Sequence, residues 1–416
     1  MKRYFMLLIL VGSILIIQAE ILIPMDNSQT NHLRAYGVVF RTLKLQQTSK
    51  WLLNYRGGAF LCPENQAVIN DLHISGVSYE IITGNDVATI YAIANEENME
   101  VMLLEVEPKI AVYTPPNKVP WDDAVTLALT YAGIEYETLW DEEVITKGLD
   151  DYDWVHLHHE DFTGQFGKFY ASYRFADWYQ EEVRTNEDMA GKLGFAKVWQ
   201  LKHAVAEKIR AFVVNGGFLF AMCGATDTID IALAAWDVDI VPKEYDGDGI
   251  DPNYKSKLDF DRTFAFENFQ IEENPMIYEY SNIDGSDYAA IRGADADYFQ
   301  LFDFSAKFDP VPTMLTQSHT PIVDGFLGQT TSFRKEFIKK SVIILGDIPN
   351  SEESKYIHGN LGKGTFTFYG GHDPEDYRHL VGDPETVLDL HKNSAGYRLI
   401  LNNVLFPAAE KKKLKT

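Results

Sequence analysis

The stretch "GGFLFAMCGATDT", Gly216–Thr228, climbs through an apolar run to a sulfur, crosses two small residues and enters a sequence suited to starting a helix. Phe218–Met222 has the length and apolar character of a buried strand. Cys223 stands where that strand turns. A nucleophile elbow needs small residues two before and two after the reacting side chain, because backbones approach closely there. Ala221 and Ala225 meet that need, with Gly224 between. Thr226 or Asp227 can cap the helix that follows. A thiol at a helix N-terminus gains thiolate character, and the free N–H groups there are expected to form an oxyanion hole. Two plainer alternatives stand beside this one. Cys223 can be a small apolar side chain closing a buried strand, or one half of a disulfide with Cys62, the other cysteine of the chain.

Working outward, the same alternation recurs on both sides. "KIAVYTPP" (109–116) reads as a strand closed by prolines, and "WDDAVTLALTYAG" (121–133) as a helix ended by glycine. "IEYETLW" (134–140) and "DDYDWVHLHHEDF" (150–162) are further strands, and "FAKVWQLKHAVAEKIRAFVVNGG" (195–217) is the helix leading into Phe218. After an irregular stretch, "KSVIILGDI" (340–348), "GKGTFTFYGGH" (362–372) and "SAGYRLILNNVLFP" (394–407) predict a strand, a hairpin-like turn into a strand, and a closing helix. Strand–helix repetition of this kind predicts an α/β fold with a doubly wound, mostly parallel sheet. The expected organisation is a signal peptide at 1–19, an N-terminal α/β region at 20–108, a main domain at 109–408, and a basic tail at 409–416. Within the main domain, about 240–335 reads as a large insertion serving as pocket wall or lid.

The 416 residues are 46% hydrophobic and 13% aromatic, which indicates a packed globular protein. Net charge is −24, from 37 Lys and Arg against 61 Asp and Glu. Phosphate backbones are tracked by clustered basic residues, so nucleic-acid binding is not expected. "MKRYFMLLILVGSILIIQAE" pairs a positive start with an apolar run shorter than the ~20 residues of a membrane span. It has the pattern of a secretory signal peptide and predicts a periplasmic or secreted protein without a stable membrane anchor.

Three further clusters carry chemistry. In "GKGTFTFYGGHDPEDY" (362–377) the strand ends at Gly370-Gly371, so His372 falls at the carboxyl edge of the sheet, where ligands gather in such folds. Glu375 or Asp373 is expected to orient its ring. In "VHLHHEDF" (155–162), His156 and His158 share one strand face, with His159, Glu160 and Asp161 at its end. That cluster suits a polar pocket lining, and no bound metal is expected: His with carboxylate can hold a divalent metal, but local spacing fixes no third ligand, and a metal-dependent hydrolase would have to use His158, His159 and His372. "YDGDGIDPN" (245–253) lacks the closing Glu of a calcium loop and reads as a solvated acidic turn. No phosphate-binding G-x-x-x-x-G-K-[ST], no G-x-S-x-G and no H-E-x-x-H occurs, and no cofactor is expected.

The order of strand, His-rich strand end, Cys elbow and strand with Gly-Gly-His resembles the class I glutamine amidotransferase-like superfamily over about 109–408. The resemblance implies a flavodoxin-like fold and a triad of Cys223 as nucleophile, His372 as base and Glu375 as orienting acid. Gly224, His158, His159 and Glu160 would then contact a small amide or sugar-like substrate. The sequence departs from that pattern in two places. The acid stands three residues after His372 instead of two, and Ala221 and Ala225 replace the usual glycines. The segment 362–377 is closer to the ThuA-like branch, which is linked to sugar metabolism and lacks an elbow cysteine. The whole chain also resembles an exported bacterial group often labelled asparagine synthetase B. Position 2 is Lys and no S-G-G-x-D-S loop occurs, so the synthetase machinery that label implies is missing. The expectations that follow are an exported Cys-dependent amide hydrolase, a ThuA-like sugar-associated protein with a structural Cys223, or a metal-dependent hydrolase.

Overall fold

The computed structural model describes residues 19–117, 120–378 and 380–411. The predicted signal peptide and the end of the basic tail fall on 1–18 and 412–416, outside the described residues. No helix among the described residues is long and apolar enough to cross a membrane.

The first sheet is built from β1 (Glu20–Ile23), β2 (Ser49–Leu53), β3 (Ala59–Pro63), β4 (Glu80–Ile82) and β5 (Glu100–Leu104). Its order is β4-β1-β3-β2-β5, and every pairing is antiparallel. The helix His32–Lys44 covers it, capped by Asn31, whose side chain accepts from the Arg34 N–H.

The second sheet holds β6 (Ile110–Tyr113), β7 (Glu137–Leu139), β8 (Trp154–Leu157), β9 (Phe218–Met222), β10 (Tyr298–Leu301), β11 (Ile322–Asp324), β12 (Phe333–Arg334), β13 (Ile343–Asp347), β14 (Glu353–Leu361) and β15 (Gly364–Tyr369). Its order is β11-β10-β13-β14-β15-β9-β8-β6-β7, with β12 beside β14. From β15 to β7 the strands run parallel. From β15 outward in the other direction every pairing is antiparallel.

This corrects the expected fold class. The molecule is a mixed α/β structure with one antiparallel and one mixed sheet, and not a doubly wound, flavodoxin-like, mostly parallel one. The physical reason is the hairpin β14–β15, closed by the two residues Gly362 and Lys363. It places an antiparallel strand on the open edge of β15, and the long segment before it then extends the sheet. That segment, expected as a lid or wall, supplies β10, β11 and the short helices Ser286–Arg292 and Pro310–Leu315.

Both faces of the inner parallel strands are covered, so β8 and β9 are buried along their whole length. One face packs Trp154, Phe220 and Tyr369 with Tyr36, Leu129 and Leu401 from the first sheet's helix and the helices Ala124–Ala132 and Ala395–Leu405. The other packs Val155, Leu219 and Phe368 against the helices Val198–Asn215 and Ala225–Ala234.

Candidate functional site

Register decides which side chains meet. His156 pairs with Phe220, and Phe220 with Thr367, in one row across β8, β9 and β15. Two residues further along each strand come His158, Met222 and Tyr369, and the chain then turns. The carboxyl ends of β6, β8, β9 and β15 therefore deliver Asp122 and Asp123, His158 to Glu160, Cys223, and His372 to one edge. Open parallel sheets gather their ligand groups at this edge.

Cys223 has φ of +49°, a left-handed backbone in a residue that is not glycine. Such a conformation at the turn from β9 into the helix Ala225–Ala234 is the strained geometry of a nucleophile elbow. The Cys223 N–H donates to the Gly371 carbonyl at 3.2 Å, tying the elbow to the turn before His372. His372 Nε2 stands 3.7 Å from Asp122 Oδ1, and the Cys223 sulfur is the other charged neighbour of the ring. Burial works against ionising the thiol, but the neighbouring His372 outweighs it and brings the thiol below its ordinary range. Burial likewise disfavours the imidazolium, yet Asp122 and Cys223 hold it up at about 10.

The helix N–H groups expected as an oxyanion hole are engaged elsewhere. Ala225 N–H donates to the His158 carbonyl, and Thr226 N–H to that of Cys223, both at 3.2 Å. The N–H of Gln329 faces the sulfur instead, donating to Sγ at 3.3 Å, and that of Gly224 also bonds to it.

A second, deeper cluster lies beside the first. Asp123 caps the helix Ala124–Ala132 through the Val125 and Thr126 N–H groups. Its carboxylate also stands 3.4 Å from His156 Nε2 and 3.5 Å from His158 Nδ1. Burial opposes its ionisation, but His158 and His156 hold the carboxyl well below the usual range. Burial pushes His158 far down in spite of Asp123. Glu160 accepts from the His158 N–H at 2.7 Å, while burial and the Asp123 charge raise its carboxyl to about 8.

The structure thus brings together Cys223, Gly224, His158, His159, Glu160 and His372. Glu375 is placed elsewhere: its Oε2 accepts from His391 Nδ1 at 2.7 Å, and the acid in contact with His372 is Asp122. Asp122 and Gln329 are the site members that sequence patterning missed. For Asp122 a signal existed, since it follows the proline turn at the carboxyl end of a strand. Both cysteines are free, with Cys62 buried in β3, so the disulfide alternative is corrected. In the acidic turn, Asp246 and Asp248 pair with Lys197, and Asp251 pairs with Lys257.

The sulfur is covered: Cys223 is 3% exposed and His372 5%. Trp121 lies edge-on to His159 and stacks on Phe169, whose other ring neighbours are Tyr173, Trp178 and Tyr278. A cavity of about 40 Å³ opens beneath this aromatic roof beside His159, Glu160 and Glu182. A larger groove, about 800 Å³, lies at the opposite end of β9 and β15, around Phe218, His358 and Phe406, away from Cys223.

No family model matches the chain, and no curated protein matches it. Among solved structures it is similar to a cytoplasmic protein from Salmonella typhimurium, at 12% identity over 73% of this chain and 100% of that one, with a TM-score of 0.36. A second cytoplasmic protein from the same species shows 12% identity, the same coverage and a TM-score of 0.37. A cold-adapted beta-galactosidase from a Rahnella species has 12% identity over 71% of this chain and 32% of that one, with a TM-score of 0.27. Likeness at this level carries no argument about activity.

Proposed function

We propose that the protein is a cysteine-dependent amide hydrolase of glutaminase type, with Cys223 as nucleophile, His372 as proton carrier and Asp122 as the acid that orients it. The observation that supports this reading is a positive-φ cysteine at a strand–helix turn, brought to the same sheet edge as an imidazole that has a carboxylate 3.7 Å behind it. The Cys223 proton already rests on His372 in a thiolate–imidazolium pair, and Sγ bonds directly to the amide carbonyl carbon. The Gln329 N–H, already facing the sulfur, is a donor within reach of the developing oxyanion. His372 then protonates the leaving nitrogen, the C–N bond breaks, and a thioester remains. Water attacks it, giving its proton to His372, and the acid leaves as the C–S bond breaks and the thiolate–imidazolium pair is restored.

Because the sulfur is covered, substrate access requires the aromatic roof around Trp121 and Tyr278 to part. The test is ammonia release from L-glutamine and L-asparagine together with alkylation of the native protein by iodoacetamide. Turnover lost in Cys223→Ala, and alkylation of Cys223 ahead of Cys62, are the expected results. Full turnover by Cys223→Ala overturns the reading.

The roof itself favours a second reading. Trp121, Phe169, Trp178 and Tyr278 offer flat faces of the kind that stack on sugar rings. A ligand-binding protein of that kind shows a raised melting temperature with oligosaccharides and none with amides, and Cys223→Ser leaves that shift intact.

A further inference from the structure

His158 and His159 follow β8, and His372 follows β15. Their ring nitrogens offer three ligand atoms lying within 4.8 Å of one another. The contacts of the His158 ring favour one tautomer. Its Nδ1 faces Asp123 Oδ1 at 3.5 Å and His156 Nε2 at 3.3 Å, while the other side of His156 bonds the Phe220 carbonyl through Nδ1. A ring nitrogen set against a carboxylate carries the hydrogen. His158 Nε2 is then left with an open lone pair. That atom is fully buried and has no hydrogen-bond partner among the described residues.

A buried lone pair beside two further imidazoles is suited to a cation. We propose that His158, His159 and His372 form a binding site for a divalent cation of the zinc class, with the fourth position left for water or ligand. Zinc–nitrogen bonds of about 2.0–2.1 Å at tetrahedral angles put ligand nitrogens about 3.3 Å apart. Rotation of the rings about their side-chain bonds closes the remaining gap. Three imidazoles and an open position match what zinc accepts, whereas calcium and magnesium take oxygen. Asp123 behind His158 supplies the carboxylate–histidine arrangement that orients a metal ligand and raises its basicity. With Asp122 near His372 it also contributes negative charge to balance a dication.

The site shares His372 with Cys223, and this has a consequence that rests on the amide-hydrolase reading. A cation bound through His372 withdraws that ring from the proton relay, so metal occupancy turns the thiol chemistry off.

The experiment uses the full-length protein, stripped with a chelator and dialysed against Zn²⁺, with bound metal counted by mass spectrometry. One equivalent is expected in wild type and in Cys223→Ala, with affinity at least about ten-fold weaker in His158→Ala, His159→Ala and Asp123→Asn. Co²⁺ in wild type is expected to give a tetrahedral visible band without thiolate charge transfer, which reports the ligand set without any variant. No stoichiometric metal in wild type, unchanged affinity in folded His158→Ala, or a thiolate band that Cys223→Ala removes each overturns the three-imidazole site. Alkylation of native Cys223 is expected to slow with one equivalent of Zn²⁺, and an unchanged rate overturns the switch. Retained turnover in Cys223→Ala would sink the hydrolase reading alone, since the metal count does not depend on turnover.

Discussion

The backbone N–H of Gln329 donates to Cys223 Sγ at 3.3 Å, joining residues 106 positions apart. The irregular segment that precedes β12 is therefore part of the sulfur's surroundings. The Gln329 side chain anchors it there, donating to the Gly167 carbonyl at 2.6 Å and to that of Tyr278 at 3.3 Å. Gln329→Ala removes both bonds from buried carbonyls and is expected to cost about 1–3 kcal/mol in urea denaturation. It is also expected to speed alkylation of Cys223, because the roof residue Tyr278 loses its tie.

Asp122 and Glu375 make opposite predictions for one chemistry. Asp122→Asn leaves His372 without its acid and is expected to lower turnover by about 10²–10⁴, with little change in melting temperature. Glu375→Gln weakens contacts with His391 and Ser394 away from the sulfur, expected to be worth at most about 1 kcal/mol, and keeps its turnover. Equal turnover in both variants would remove Asp122 from its proposed role.

Gly370 sits where β15 passes under the Gln329 segment. A Cβ there would stand 2.4 Å from the Thr331 carbonyl oxygen, a backbone atom that cannot rotate away. Gly370→Ala is expected to destabilise the protein by about 1–3 kcal/mol, read by denaturation, through overpacking that pushes the two segments apart.

Lys355, almost wholly buried, donates to the Phe326 carbonyl at 2.5 Å and to that of Thr331 at 2.8 Å. Burial brings its amine down to about 7 from an ordinary value of 10.5, against the opposing pull of Asp297 and Asp284. The unfolded chain therefore binds more protons between those values, and stability rises with pH across that window. Below about pH 7 the cost of the buried ammonium is fully present. Relative to Lys355→Met, wild type is expected to gain stability from pH 7 toward 10, as measured by melting both proteins across that range. A parallel pH dependence in the two would contradict the shift.

Much of this architecture can be read from strand periodicity, and what escapes has identifiable causes. The runs at Ile110, Trp154, Phe218 and Gly364 are apolar because both faces of those strands are covered, and their ends then locate His158, Cys223 and His372. β14 is buried on both faces too, but it carries Glu353, Lys355 and His358, which find partners inside and hide the strand pattern. Without β14 the antiparallel half of the sheet is invisible, and the parallel half looks like the whole. Strand direction in the first sheet is equally silent, because alternating helices and strands fit either sense. Asp122 is masked by its neighbour: Asp123 is a good helix cap, so the pair reads as the start of a helix. Gln329 contributes a main-chain N–H, which no side-chain pattern reports.

Arg398 lies wholly inside the protein on the helix Ala395–Leu405, where it donates to the Met25 and Gly57 carbonyls and to the Tyr36 hydroxyl. A guanidinium stripped of water has no substitute for those acceptors, all of which come from the first sheet and its helix. Trimming the chain to the portion that holds the sulfur would take away all of these acceptors and bare the apolar face around them to water, so the two sheets should melt together as one unit and neither should survive as an excised fragment.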